Sequence, residues 1–286
     1  MILVTGAAGK TGQAILHALA DRHAGWRALV RRPAAAEAQP PADCQFVVGD
    51  LLNPEDVKRA VEGSSAVYHI PPNMHPDEER MAQSLLQAAA KQGVTHFVYH
   101  SVLHPQSTAM PHHARKLRVE EAVLASRLPF TLLQPAAYMQ NLLPYVDQAR
   151  QHGSLRLPYP PATRLNLVDL ADIAQAAAIV LTMPGHTGAT YELAGPDNPN
   201  QHQVAALLAD LLGRPVAASQ QRLEKWRQAA ASRGLDAGRI DDFLAMFGYY
   251  ADHDFTGNDR VLTHLLGRKP KNLRTFLADA LRAGRD

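Results

Sequence analysis

The sequence holds a single cysteine, Cys44, so no disulfide framework is available and a thiol-reducing compartment suits the chain. Cys44 has no basic partner in its neighbourhood and is read as a strand-edge residue, not a reactive thiol. No apolar run approaches the ~20 residues that span a bilayer, which excludes a membrane-spanning helix. An excess of charge of one sign is also missing. With 29 basic and 27 acidic residues the net charge is +2, where a nucleic-acid surface would need a clustered basic excess. No basic region precedes the first apolar run, so that run is expected to be a strand and not a signal peptide. The expected location is the cytoplasm, with neither nucleic acid nor membrane as partner.

What is present is an ordinary globular composition. The 286 residues, 46% of them hydrophobic, suit one large domain or two smaller ones around a sizeable core. The N-terminal stretch VTGAAGKTG admits two readings. Gly9-Lys10-Thr11 resembles the end of a P-loop, but that loop needs its first glycine at position 4, which is Val4. A β-branched residue cannot take the glycine conformation there. Gly6, Gly9 and Gly12 instead follow the apolar run Ile2-Leu3-Val4 and precede Ala14-Ile15-Leu16 and Leu19 at helical spacing. That is a dinucleotide-binding turn: Gly6 for the tight turn, Gly9 for approach of a pyrophosphate, Gly12 for close packing. The phosphates would sit over Ala7, Ala8, Lys10 and Thr11, at the positive end of a helix.

Further on, β-like runs at 26–30, 45–48, 66–70, 96–101 and 130–134 alternate with helical segments near 10–23, 54–62, 77–92 and 113–126. This order predicts an α/β fold with a doubly wound parallel sheet, a Rossmann fold, whose ligands bind beyond the carboxyl ends of the strands. Residues 1–136 form the expected cofactor domain, completed by elements near 165–195. The remainder, 137–286, is expected to be a smaller and mostly helical substrate or lid domain, with helices near 202–213, 222–233, 239–250 and 271–282. LRLPYPPATR reads as a connection.

The turn TGAAGKTG, the strand end LVRRP, the segment GDLLNPEDVKRAVEG and the long stretch YHSVLHPQSTAMPHHARKLRVEEAVLASRLPFTLLQPAAYMQN together resemble the NmrA-like family of atypical short-chain dehydrogenase/reductases. The likeness covers nearly the whole chain and is most specific in the first 175 residues. It implies NADP(H) in a Rossmann domain and a small C-terminal domain. Two activities are open: a reductase delivering hydride to a quinone-like or conjugated acceptor, or a redox sensor that binds NADP(H) without turnover and acts through a regulatory protein partner. Homo-oligomers fit either.

The choice between NADP and NAD turns on another absence. NAD sites carry an acid at the end of the second strand for the ribose 2′-hydroxyl, whereas NADP sites carry arginine for the 2′-phosphate. Here Arg31-Arg32 stand at that point, and the nearest acids are Asp21 and Glu37. Guanidinium groups grip phosphate with paired, charge-assisted hydrogen bonds. Asp50, followed by Leu51, stands after the third strand, where position and the family pattern assign it to the adenine amino group. Ile70, Pro71, Pro72 and Asn73 leave the fourth strand, and proline there suits a wall against a flat ring.

Short-chain dehydrogenases commonly use a serine and a Tyr-x-x-x-Lys pair. Ser101 and Lys116 stand in the corresponding places, but the residue four before Lys116 is His112. Without the tyrosine, alcohol dehydrogenation and epimerisation are disfavoured. Lys116 is expected to hold the ribose hydroxyls with a share in catalysis, and His112 or His113 is a candidate proton donor because histidine titrates near working pH. The alternative is a pair of exposed loop histidines. The family likeness places Gln134, Pro135, Tyr138, Gln140 and Asn141 beside the nicotinamide. His100 and His104 have a ligand-like spacing, yet they straddle a strand end and lack an accompanying acid, so no metal is expected. FLAMFGYY at 243–250 and Trp226 offer either core or a pocket for a small planar hydrophobic substrate.

Overall fold

The computed structural model describes residues 1–32 and 45–283. Cys44 and Glu37 lie outside the described residues. Six short apolar runs become parallel strands: β1 (Ile2–Val4), β2 (Trp26–Val30), β3 (Gln45–Val48), β4 (Ala66–His69), β5 (His96–His100) and β6 (Phe130–Pro135). Their spatial order is β3-β2-β1-β4-β5-β6, and a further strand, β10 (Ala189–Leu193), lies at the edge beside β6. This is the order of a dinucleotide-binding sheet, in which the chain reverses direction of winding between β1 and β4. The registers Val4 to Ala28 and Val4 to Tyr68 put the end of β1 close to the ends of both neighbours, with β2 running on to Val30 and β4 to His69. The doubly wound sheet expected from the sequence is therefore present.

Four helices join the strands: α1 (Lys10–Ala20), α2 (Pro54–Val61), α3 (Glu78–Lys91) and α4 (Pro111–Ala125). Asn53 caps α2 by accepting from the Glu55 N–H, and Pro54 occupies the first helical position, where no N–H is needed. One face of the sheet contributes Leu3, Leu29, Val67, Phe97 and Leu132 to a core that also takes Val57 from α2, Met81 and Leu85 from α3, and Val119 and Val123 from α4. Burial of these side chains, at ~1.5–3 kcal/mol each, is what holds helices of this length to the sheet.

The chain forms two compact units. The first takes the described residues of Met1–Gln106, His112–Pro135 and Ile173–Tyr191; the second takes Ser107–Pro111, Ala136–Asp172 and those from Glu192 onward. The second unit holds β7 (Ala137–Tyr138), a 3-10 turn at Met139–Leu142, α5 (Leu143–His152), β8 (Ser154–Leu157) and β9 (Leu167–Val168). The helix α6 (Leu170–Thr182) begins there and continues into the first unit. After β10 come α7 (Gln201–Leu212), β11 (Ala217–Gln220), α8 (Leu223–Ser232), α9 (Ala237–Asp252), α10 (Arg260–Leu266) and α11 (Leu273–Ala283). Helices dominate as expected, but β8 and β11 pair in parallel, so part of the stretch read as a connection is a strand. Its core gathers Met139, Val146, Leu155, Leu208, Phe276 and Leu277. Among the described residues no helix is long and apolar enough to cross a membrane.

Candidate functional site

The turn after β1 is built as the glycine spacing requires. Gly6 has φ +64, and a Cβ there would stand 2.7 Å from the Ile70 carbonyl oxygen. A Cβ on Gly12 would stand 2.4 Å from the Gly6 oxygen and 2.6 Å from the Ala7 Cα, so Gly12 lets the helix fold onto its own entry turn. Gly9 differs: its backbone is extended, with φ −79, and a Cβ would meet only the Gly6 oxygen at 3.4 Å. The protein itself has room for a side chain at Gly9. Gly9 stands at the N-terminus of α1, where helix N–H groups have no intrahelical partner. Gln13 pins the turn by donating to the Ala7 carbonyl at 2.8 Å, and the Thr5 hydroxyl receives the Ile70 N–H at 3.0 Å, fastening the end of β1 to the end of β4.

Parallel strands bring their carboxyl ends to one edge of the sheet. Arg31 and Arg32, both exposed, leave β2 there. Asp50 follows β3; its carboxylate receives the Leu52 N–H at 2.9 Å in a local turn, and Leu51 beside it is buried. Ile70 and Pro71 at the end of β4 are buried, Pro72 is half-buried and Asn73 exposed. The loop carrying them contains Met74 at φ 51, and the loop after β5 contains His104 at φ 52. Non-glycine residues in the left-handed region are held there by surrounding structure, and such positions concentrate at functional loops.

A buried polar cluster lies where β4, β5 and β6 end. Lys116, on the second turn of α4, donates to Glu78 Oε1 at 2.9 Å, and the Tyr99 hydroxyl donates to the same oxygen at 2.5 Å. Glu78 is 0% exposed. The Lys116 ammonium also stands 5.5 Å from the centre of the Tyr99 ring, within cation–π range. One turn further along α4, Glu120 receives both its hydrogen bonds from Gln134 Nε2, at 2.9 and 3.0 Å. Burial pushes the Glu120 carboxyl above its usual range, while Ser101, Gln134 and Lys116 hold it back; Ser101 Oγ faces Glu120 without a hydrogen bond of ordinary geometry. Ser101, Lys116 and Gln134 are therefore gathered in one place.

The histidines depart from expectation. His112 and His113 are buried in the first turn of α4 and are not loop residues. Burial, followed by the neighbouring His113 and Lys116 charges, pushes His112 down to about 2, and burial pushes His113 to about 4. His113 is tied to the His104 carbonyl at 3.0 Å. Burial thus opposes the titration near neutral pH that singled them out as proton donors. His100 is engaged by the Tyr68 hydroxyl at 2.6 Å, and burial lowers it to about 3. Tyr99 places a phenol beside Lys116, and burial first, and then Glu78, raise it well above the ordinary phenol value, so it stays protonated and donates to Glu78.

Sequence reading passed over Glu78, Tyr99 and Glu120. A signal existed for Glu78: with Ala82, Leu85 and Ala89 it occupies one face of α3 at positions i, i+4, i+7 and i+11, and all four are 0% exposed. A carboxylate on the apolar stripe of a helix is the exception to look for.

In the second unit Gln140 has both ends of its amide occupied. Its Nε2 donates to Asp169 Oδ1 at 2.6 Å, and its Oε1 receives the Leu170 N–H at 3.1 Å, so it clamps the start of α6. Tyr138 is half-buried and Asn141 exposed in the same segment; Pro135 at the end of β6 is buried. Trp226 on α8 packs against Phe247 and Phe243 on α9, with ring centres 4.9 and 5.2 Å apart. Phe247 is buried and the other two are half-exposed, so the cluster is partly core and partly surface.

Comparison with known proteins gives four findings. The family model described as NmrA-like family matches residues 1–277. A (4-alkanoyl-5-oxo-2,5-dihydrofuran-3-yl)methyl phosphate reductase of Streptomyces griseus subsp. griseus is 33% identical, with 98% of this chain and 97% of the relative covered. An NAD(P)H azoreductase of Xenophilus azovorans is 29% identical, covering 96% of each. Among solved structures, an NADPH-dependent quinone oxidoreductase of Escherichia coli complexed with NADPH superposes with a TM-score of 0.87 at 24% identity, over 98% of this chain and 100% of the other. This last likeness speaks to the fold.

Proposed function

This chain belongs to the NmrA-like family, and from that premise we propose that it is an NADPH-dependent reductase that delivers hydride to a small, planar, quinone-like or otherwise conjugated acceptor. The cofactor is NADP(H). The observation that carries the reading is the turn at Gly9, where the protein leaves space that none of its own atoms needs, on a chain whose full-length relatives are reductases by name. Those relatives are named for an azo group, an unsaturated lactone and, in the structural neighbour, a quinone. The shared chemistry is a conjugated system that accepts hydride. The redox-sensor reading is not favoured, because the two full-length curated relatives are named as reductases, although a negative transcriptional regulator shares the fold. A cytoplasmic location accords with this reading.

When bound, the cofactor supplies the hydride. The residues of the chain hold and orient it: Gly6, Ala7, Ala8, Gly9, Lys10, Thr11 and Gly12 surround the pyrophosphate, Arg31 and Arg32 take the 2′-phosphate, and Asp50 and Leu51 take the adenine. Ile70, Pro71 and Pro72 form a wall, while Ser101 and Lys116 hold the nicotinamide ribose. Pro135, at the end of β6, completes the nicotinamide side. The protein needs no strong acid of its own, because a reduced quinone oxygen is stabilised as a phenolate-like anion and collects its proton from water. The neutral, buried His112 accords with that economy.

The test is oxidation of NADPH in the presence of a quinone, an azo dye and an unsaturated lactone, repeated with NADH and with Arg31→Ala. At least one acceptor should be consumed in step with NADPH. The preference for NADPH over NADH should be about tenfold or more and should shrink in Arg31→Ala, as a charge-assisted phosphate contact of ~1.5–3 kcal/mol requires. Cofactor binding with no acceptor consumed would restore the sensor reading.

A further inference from the structure

We propose that Glu78 is a positioning residue: it fixes the Lys116 ammonium in place before the cofactor arrives. This rests on the reading of Lys116 as the residue that holds the nicotinamide ribose.

Glu78 stands on the face of α3 that otherwise carries Ala82, Leu85 and Ala89 against the core, and it is fully buried. A carboxylate removed from water loses several kcal/mol of hydration, and well-packed apolar residues commonly replace buried ion pairs without loss of stability. Packing alone would therefore be served by leucine or methionine at position 78. The geometry of the carboxylate points the same way. Both hydrogen bonds, from Lys116 Nζ and the Tyr99 hydroxyl, converge on Oε1, while the buried Oε2 has no hydrogen-bond partner among the described residues. The group is aimed at the lysine and is not arranged to satisfy itself.

Three elements meet at the ammonium. Glu78 comes from α3, Tyr99 from β5 with its ring centre 5.5 Å from the charge, and Lys116 itself from α4, where Glu120 follows one turn later, its carboxyl raised by burial and only partly held back by the Lys116 charge. His69, stacked on Tyr99 at 5.8 Å, backs the phenol and is tied through Nδ1 to the Thr5 hydroxyl at 2.9 Å. The same Thr5 fastens the glycine turn to Ile70. Lysine carries a long, rotamer-rich stem, and an ammonium has three donors. Holding one donor on Glu78 removes stem freedom in advance and leaves two for a ligand, which is preorganisation in the ordinary sense. Only 14% of the Lys116 side chain is exposed.

The experiment is calorimetric titration of NADPH into the wild type, Glu78→Gln, Lys116→Met and the double variant, with melting temperatures measured alongside. Glu78→Gln keeps shape and removes the charge; Glu78→Met serves the same purpose if the glutamine variant does not fold. The proposal expects Glu78→Gln to weaken NADPH binding about tenfold, the scale of one misplaced charge-assisted hydrogen bond, with a lower melting temperature because the Lys116 charge loses its buried partner, part of which the double variant should regain. It also expects the double variant to bind no more weakly than Lys116→Met alone. Unchanged affinity in Glu78→Gln, or losses that multiply in the double variant, would overturn it. If Lys116→Met binds NADPH like the wild type, the ribose assignment of Lys116 fails and takes this proposal with it. A wild type that does not bind NADPH at all marks the failure of the cofactor reading instead.

Discussion

Gly6, Gly9 and Gly12 are evenly spaced in the sequence, yet a methyl group at each would meet different surroundings. At Gly12 it would lie 2.4 Å from a backbone oxygen, which cannot move aside as a side chain can. Gly12→Ala should therefore lower the melting temperature even without cofactor, by several degrees if the overpacking costs the usual ~1–3 kcal/mol; an unchanged melt would mean the turn is more pliant than its contacts imply. The spacing made the turn legible, because strand, glycines and helix follow one another within twenty residues. The motif already assigns Gly6 and Gly12 to the turn and its packing and Gly9 to the ligand; what the sequence does not place are the atoms of Ile70 and Ala7 that a side chain at Gly6 or Gly12 would strike. The same limit applies to His112 and His113. Their titration is set by burial, which a local reading of loop against helix did not supply.

At the scale of single elements, α6 shows how a residue assigned by resemblance can serve another end. Asp169 precedes the helix and receives the Ala171 N–H at 3.1 Å, Gln140 at 2.6 Å and Lys271 Nζ at 3.1 Å; Asp172, in the first turn, receives Arg268 at 2.7 Å and the Lys271 N–H at 2.6 Å. Acids at a helix N-terminus favour the free N–H groups there, and these two are nearly buried. Gln140→Ala should cost ~1–3 kcal/mol of stability by leaving a buried carboxylate short of a donor, with NADPH affinity kept. Denaturant unfolding and a parallel titration decide between the roles: a loss of affinity at unchanged stability would return Gln140 to the cofactor. Long periodic elements such as α3 and α7 were plain in the sequence; the Asn200–Gln203 capping box marks the start of α7. The four-residue strands β8 and β11 were not, because each is too short for alternation to register and they find each other only through the fold.

For the molecule as a whole, four buried histidines of the first unit make stability depend on pH. His69 and His100 are held down to about 3, His112 to about 2 and His113 to about 4, burial being the largest cause for each. The unfolded chain binds these protons near pH 6.5 and the folded chain does not, so their contribution is complete above that value and is lost as pH falls toward the folded values. Each then removes up to ~1.4 kcal/mol per pH unit. Glu120, raised by burial, offsets a part. Urea midpoints should fall steeply between pH 6.5 and 4.5, above the range where ordinary carboxylates titrate; a flat profile there would mean that the histidines are hydrated. The central claim, that the turn after β1 holds the pyrophosphate of NADP(H), is tested most directly at Gly9, the one glycine of the three whose side chain the protein can accommodate. Titration of NADPH into Gly9→Ala, with circular dichroism and melting temperature as controls, should show a normally folded protein that binds about tenfold or more weakly, a loss of ~1.4 kcal/mol or greater. Full NADPH affinity in the folded variant would contradict the account and put the cofactor elsewhere.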